Sequence, residues 1–361
     1  MKKTKIQWCH STVNPLMGCD GCELWPGKGK FLSELTMVII ANTIALQTAQ
    51  AEKTIASIIG TRETSEIYSG RVQIADRLAV RFDLGKPARD ELVDVIRKNC
   101  KCYAGLLGTL RAGQAKGHAD KFEEPMIFPG RMAEAARWGP PSPEESAPKP
   151  WLAGAGRMIF VSDMGDALSQ SVPFEFLQSE IINAVDSNAG RRHLWLWLTK
   201  RPKRMADFGS QLLKAGIPWP DNLVAMASVT SSATAGRIDD LRRVPSRFKG
   251  LSCEPAFAEL TPDLTGIDWV VMGGGSDVLA EPFHVEWALS LREQCRQADV
   301  AFFFKQLGRN AMFKGRALNL SDKHGGDWSE WKKDWRTREI PKAFLTPGIY
   351  SAAGTGTRYE Q

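Results

Sequence analysis

RMIFVSDMGD, residues 157–166, carries the pattern from which the architecture follows. Its first five residues are almost all apolar and do not alternate, which suits a strand buried on both faces. The polar, glycine-containing turn after them is where such a strand would end. The same grammar recurs downstream in HLWLWL (193–198), LVAMA (223–227), FKGLS (248–252), WVVM (269–272) and AFFF (301–304). Spacings of about 20 to 35 residues leave room for one crossover helix between consecutive runs. Amphipathic helices are expected over 173–185 and 285–297, and KIQWC (5–9) supplies a further strand upstream. About seven β/α units result. The expected α/β fold is a complete or partial (β/α) TIM-like barrel rather than a doubly wound sheet.

Composition sets the outer bounds. A chain of 361 residues, 43% hydrophobic and 24% charged, accommodates one large α/β domain with insertions. A net charge of +6, from 47 basic and 41 acidic side chains, permits a nucleic-acid or phosphorylated partner without arguing for one. Seven cysteines in so long a chain do not make a secreted disulfide scaffold. MKKTKIQWCHSTVNP starts basic but has no apolar signal region, so a cytoplasmic protein is expected. MVIIANTIAL (37–46) is too short to span a bilayer and is broken by Asn42 and Thr43, so no membrane partner is expected.

Four cysteines stand apart from this grammar, Cys19 and Cys22 in NPLMGCDGC (14–22) and Cys100 and Cys102 in NCKCYA (99–104). The first pair lies on a loop rich in turn formers, at the end of the first expected strand. Residues 28–99 read as a helical insertion. Ile74, Ala75, Leu78, Ala79 and Phe82 fall on one helical face, Leu92, Val93 and Ile96 continue the pattern, and Cys100 follows at its end. The insertion thus returns the chain to the loop it left. Thiolates gathered this way suit zinc or an iron–sulfur cluster. Structural zinc prefers a closed set of four ligands in C-x2-C knuckles, and the C-x-C pair is awkward for it. A cluster held by three of the four, with the last one redundant, is favoured. Cys9, Cys253 and Cys295 read as buried thiols and His10 as a structural histidine.

In barrels the working residues follow the strands, at one rim. Those positions hold Ser162 and Asp163, Thr199 and Lys200, Ser228 and Thr230, Glu254, Gly273, Gly274 and Gly275, then Lys305 and Gln306. Each also has a structural reading, since helix caps and turns make strand ends polar. Gly273–Gly275 matches neither the Walker pattern nor G-x-G-x-x-G, and either relieves crowding or admits a ligand. The stretch after Trp138 (GPPSPEESAPKP) reads as a surface linker. In DKHGGDWSEWKKDWR, Trp328, Trp331 and Trp335 have helical spacing. They make either a stripe packed on the barrel or a platform for stacked bases.

These pieces resemble an uncharacterised phage and bacterial family placed with radical SAM barrels. NPLMGC (14–19) and CYA (102–104) match its cysteine motif. IFVSDMGD (159–166), LWLTKRP (196–202), LSCEP (251–255), IDWVVMGGGSD (267–277) and FFFKQLG (302–308) follow in the same order. The resemblance implies a radical SAM-type barrel in residues 1–27 and 100–310, a helical insertion in 28–99 and a C-terminal extension in 311–361. It implies a [4Fe–4S] cluster on three cysteines, with S-adenosylmethionine (SAM) chelating the open iron. An external electron donor would then trigger cleavage to a 5′-deoxyadenosyl radical that abstracts a substrate hydrogen.

Cys19 and Cys102 match by position, the latter through Tyr103 and Ala104, and the middle ligand is Cys22 or Cys100. The family keeps its cysteines in one compact loop ending in C-x2-C-Y-A, whereas here the insertion splits that loop and the last pair is C-x-C. Within the resemblance, Ser162 and Asp163 would take the methionine end of SAM. Thr199, Lys200, Ser228 and Thr230 would take its ribose and carboxylate, and Gly273–Gly275 its adenine. Glu254, Lys305 and Gln306 would face the substrate as acid–base or binding groups. The expected substrate is a nucleotide or nucleic acid in a phage setting. The alternative is a non-catalytic zinc-stabilised barrel binding nucleic acid or a protein partner.

Overall fold

Seven parallel strands form one sheet whose spatial order is the chain order. They are β1 (Ser11–Val13), β2 (Arg157–Val161), β3 (His193–Thr199), β4 (Leu223–Ser228), β5 (Lys249–Cys253), β6 (Trp269–Gly273) and β7 (Ala301–Gln306). The computed structural model describes residues 4–25, 28–43, 48–59, 70–99, 101–102, 104–105, 117, 119–277 and 280–345. Each strand pairs in parallel with its sequence neighbours, with Phe160 opposite Leu196 and Leu196 opposite Val224. The order never reverses, as it would in a doubly wound sheet. The sheet instead curls into a half-barrel with β1 and β7 as its edges.

The near-continuous apolar runs have two destinations. Ile159, Val161, Trp195, Trp197 and Val270 point outward, into a core shared with the covering helices. Met158, Phe160, Leu194, Leu196, Val224, Met226 and Val271 point into the concave side. Burying each such side chain is worth about 1.5–3 kcal/mol, which is why a sheet covered on both faces shows no alternation. Outside lie a helical stretch spanning 174–186, α5 (Pro202–Lys214) and α6 (Val285–Gln297). Pro202 sits in the first turn of α5, where its missing N–H costs nothing. Met205, Phe208 and Leu212 face the sheet.

The first strand is not KIQWC. Residues 5–9 run beneath the sheet without joining it, and β1 is the β-branched STV that follows. The carbonyls of Thr4, Ile6 and Cys9 accept from Lys149 Nζ at 3.0, 2.7 and 2.6 Å, and Trp151 Nε1 donates to the Gln7 carbonyl at 2.8 Å. Side chains therefore replace the ladder that a strand would have used. Trp8 fills the concave side, 4.7 Å from the Phe160 ring and 6.0 Å from Trp269.

The expected linker after Trp138 is also more than a surface connection. Ser142 and Glu145 close a capping box on the short helix Pro143–Ser146. Glu145 then makes a 2.9 Å ion pair with Arg157, with side chains 7% and 1% exposed. A charge pair this buried cannot belong to a freely solvated segment.

The insertion holds α1 (Lys28–Ala41), α2 (Thr48–Ile59), α3 (Gly70–Arg81) and α4 (Lys86–Asn99). Phe31, Leu35, Ile39, Ile55, Leu78 and Leu92 form its own core, which continues into Trp25 and Phe122 near the barrel mouth. Of the C-terminal tryptophans, Trp328 and Trp335 lie on two short 3-10 turns, Trp328–Glu330 and Lys333–Trp335, and Trp331 caps the first, so they share no helix. Before them Asp322 folds a loop, its carboxylate accepting the N–H groups of His324, Gly326 and Asp327. Trp331 and Trp335 are buried, and Arg338 lies over the rings of Trp151 and Trp328 at 4.1 and 4.5 Å. These indoles are packing groups rather than a free stacking platform. No helix among the described residues is long and apolar enough to cross a membrane.

Candidate functional site

The two cysteine stretches meet at the mouth of the half-barrel through backbone contacts. Asn14, after β1, reaches the end of β2, where its Nδ2 donates to Asp163 Oδ1 at 2.5 Å and its Oδ1 accepts from Met164 N at 3.0 Å. Gly18 has φ of +94°, and a Cβ there would come within 2.5 Å of the Phe122 carbonyl oxygen, so only glycine suits this turn. Cys19 N–H then donates to that carbonyl at 2.7 Å. Cys22 and Trp25 exchange backbone hydrogen bonds at 3.1 and 3.0 Å, which closes the loop. The second stretch docks on the first where Cys102 N–H donates to the Leu24 carbonyl at 3.0 Å. Lys101 braces the far side, 3.2 Å from Glu281 and 4.7 Å above the Phe257 ring.

Cys19, Cys22 and Cys102 thereby line one cavity of about 360 Å³, within the range of small-molecule sites. Cys100 and Tyr103 lie outside the described residues. Of the rim residues, Ser162, Asp163, Thr199, Lys200, Ser228, Glu254, Gly274, Gly275, Lys305 and Gln306 line the same cavity. Thr230 and Gly273 do not. Thr230 is buried, its N–H donating to Thr234 Oγ1 at 3.0 Å, and Gly273 ends β6. Gly274 has a structural reason for being glycine, because a Cβ there would lie 2.4 Å from the Leu307 carbonyl oxygen.

The lining residues differ in what they have left to offer a ligand. Ser162 is 6% exposed and its hydroxyl has no hydrogen-bond partner among the described residues, an orphaned polar group that a ligand would satisfy. The Trp8 Nε1 donor, in the same cavity, likewise has no partner among the described residues. Thr199 is already engaged, its hydroxyl lying 2.9 and 3.0 Å from the Asp166 carboxylate oxygens. Gln306 Nε2 donates to the Gly274 carbonyl at 2.8 Å. Lys305 and Glu254 are ion-paired, with side chains only 16% and 14% exposed.

Two residues that sequence reasoning left out organise the near wall. Asp166 accepts from the Leu168 and Lys200 N–H groups at 3.0 Å each, from Thr199, and from Arg201 Nη1 at 3.1 Å. Asn14 is the second, tying β1 to β2. Only their positions beside strand ends marked them. Burial disfavours the charge of Lys200, but Cys22, Cys102, Asp166 and Glu23 more than offset this and raise its pKa. Burial pushes the Cys19 and Cys22 thiols up, opposed by Arg201 and Lys200 respectively. Cys9 and Cys295 are pushed up to about 12 by burial, and Cys253 is raised for the same reason. These three stay neutral thiols and make poor metal donors.

A zinc ion with 2.3 Å bonds would draw its thiolates to roughly 3.8 Å of one another. Among the described residues no three His, Cys, Asp or Glu side chains are gathered as a metal ion requires. A cubane cluster is larger than one ion and holds its thiolates farther apart. Three free thiols around a cavity, one accepting a backbone N–H (Gly105 N to Cys102 Sγ, 3.3 Å), fit that donor set.

Neither curated proteins nor solved structures give a match to this chain. A family profile described as "Protein of unknown function (DUF5131)" matches residues 94–337, a span that starts inside α4 and takes in Cys102 and strands β2 to β7. The match covers more than half of the 361 residues, and the chain belongs to that family.

Proposed function

We propose that this chain is an iron–sulfur, SAM-dependent radical enzyme of the radical SAM barrel type, with its cofactor site in the cavity at the barrel mouth. One observation carries the reading: Cys19, Cys22 and Cys102, from stretches separated by the insertion that holds α1 to α4, line a single cavity. Three thiolates are the ligand number that leaves one iron of a [4Fe–4S] cluster open. When bound, cluster and SAM supply one-electron cleavage chemistry, and the protein's part is binding, orientation and exclusion of quenching.

The chain's own residues divide that work. Lys200, beside Cys22 and Cys102, offsets thiolate charge. Ser162 offers a hydroxyl that is unpaired among the described residues, and Asp163 and Ser228 add polar groups for the ammonium and ribose of SAM. Trp8, Phe160 and Leu198 form an apolar floor that keeps bulk water from the reacting centre. Glu254 and Lys305 lie in the same cavity as a paired acid and base, suited to holding a polar substrate and moving a proton. The substrate class proposed is a nucleotide or nucleic acid, with an external electron donor, in a cytoplasmic and phage-related setting. The six described cysteines, all without disulfides, agree with a reducing compartment.

Anaerobic reconstitution with iron and sulfide, then dithionite and SAM, tests this. A brown protein releasing 5′-deoxyadenosine supports it. A colourless protein holding one zinc supports the structural-barrel alternative instead.

A further inference from the structure

Arg201 is not part of the cavity wall, yet its side chain turns back from the start of α5 to the first cysteine loop. Its Nη1 lies 3.5 Å from Cys19 Sγ and 3.1 Å from Asp166 Oδ2. Its Nη2 donates to the Gly21 carbonyl at 2.7 Å and to the Asp20 carboxylate. The base of the residue is fixed as well, since Arg201 N–H donates to Thr199 Oγ1 at 2.9 Å. Asp166, the anchor of the guanidinium, is itself held by Leu168, Thr199 and Lys200. One planar fork thus joins the end of β3 to three successive residues of the loop, Cys19, Asp20 and Gly21.

We infer that Arg201 is a positioning residue that holds the Cys19–Cys22 loop in its ligating form and, through its N–H···S contact to Cys19, raises the reduction potential of the centre bound there. The inference rests on the proposed iron–sulfur reading. A guanidinium presents several donors in a fixed plane, which a lysine ammonium cannot reproduce. A cationic donor on a ligating sulfur stabilises the more negative, reduced state of a cluster, which raises its potential. Outer partners of metal ligands also support affinity, typically by 10–100-fold.

The test uses the full chain, anaerobically reconstituted, as wild type, R201K and R201Q. Iron per chain, the rate of iron loss to a chelator, and the midpoint potential from an EPR-monitored redox titration are compared, with circular dichroism as the check on folding. R201Q is expected to bind iron about 10–100-fold more weakly and to shift the midpoint to more negative potential. R201K, which keeps the charge and loses the fork, is expected to lose iron faster than wild type with a smaller shift in potential. Wild-type retention and potential in both variants overturns the inference while leaving the iron–sulfur reading intact. If R201Q does not fold, unchanged iron retention in R201K overturns it alone. Wild-type protein that takes up no iron overturns both.

Discussion

Cys102 donates its backbone N–H to the carbonyl of Leu24 at 3.0 Å, so a residue after the helical insertion is bonded to the loop that precedes it. That bond makes one site of two distant sequence motifs. Cys19→Ala and Cys102→Ala are each expected to remove most of the iron from reconstituted protein while leaving the barrel folded. Iron and sulfide analysis beside circular dichroism checks this. Parallel Cys22→Ala and Cys100→Ala variants identify the third ligand, and the cavity position of Cys22 favours loss in Cys22→Ala.

Ser162 separates binding from stability. Its buried hydroxyl has no partner among the described residues, so Ser162→Ala is expected to leave the unfolding free energy unchanged or to raise it, by up to about 1 kcal/mol. The same change removes one hydrogen bond to a charged ligand and is expected to weaken SAM binding about tenfold. Urea denaturation and equilibrium binding to the reconstituted protein measure the two effects separately.

Glu254 and Lys305 form a partly buried ion pair, and removing one partner strands the other. Glu254→Gln and Lys305→Met are each expected to cost about 1–3 kcal/mol of stability, below the fully buried case because both side chains keep some solvent contact. The double variant is expected to cost less than the sum of the two, which a double-mutant cycle in urea tests.

At the start of β2, the end of the sheet away from the cavity, Arg157 is a stability residue. Its guanidinium is 1% exposed and donates to Gly139, Pro140, Ser11 and Glu145. Arg157→Met is expected to cost about 3–5 kcal/mol, with iron binding retained in the folded fraction. Denaturation curves with and without iron check both parts.

Two histidines set an acid limit. Burial lowers the pKa of His10 and His193 from 6.5 to about 4 each. His10 Nδ1 accepts from Met158 N at 3.0 Å, and His193 Nε2 lies 3.1 Å from the Ala136 carbonyl, which requires it to donate. Both rings are therefore neutral in the folded chain, whereas the unfolded chain takes up protons below about pH 6.5. Their contribution is present above about 6.5 and is lost as the pH falls towards 4, a total on the order of a few kcal/mol. Unfolding free energy against pH is expected to decline across that window, and less steeply in His193→Gln.

The sheet was legible because strands buried on both faces leave unbroken apolar runs, so β2 matched its expected bounds and β3 to β7 fell within two residues of theirs. β1 was not, because KIQWC has the composition of a strand but its Ile6 and Cys9 carbonyls are taken by Lys149 and its Gln7 carbonyl by Trp151, far along the chain. The tryptophan segment has helical spacing, yet it runs as two short 3-10 turns tied to the preceding loop, Glu330 accepting the Ser321 and Asp322 N–H groups. In the site, the cysteines and strand-end polar residues could be picked out by type and position. Asp166, Asn14 and Arg201 also stand beside strand ends, but their roles rest on partners from other strands and loops, which position alone does not reveal. Thr230 illustrates the converse, a polar residue past a strand end that is buried outside the cavity lining, its backbone N–H donating to Thr234 Oγ1.

The central claim is that Cys19, Cys22 and Cys102 grip iron and sulfide at the mouth of the half-barrel. Its most direct test is iron and acid-labile sulfide per chain after anaerobic reconstitution, read together with the EPR signal on reduction. The account predicts about four of each per chain and a cluster signal that disappears in Cys102→Ala. Zinc alone, or iron uptake indifferent to Cys19 and Cys102, contradicts it.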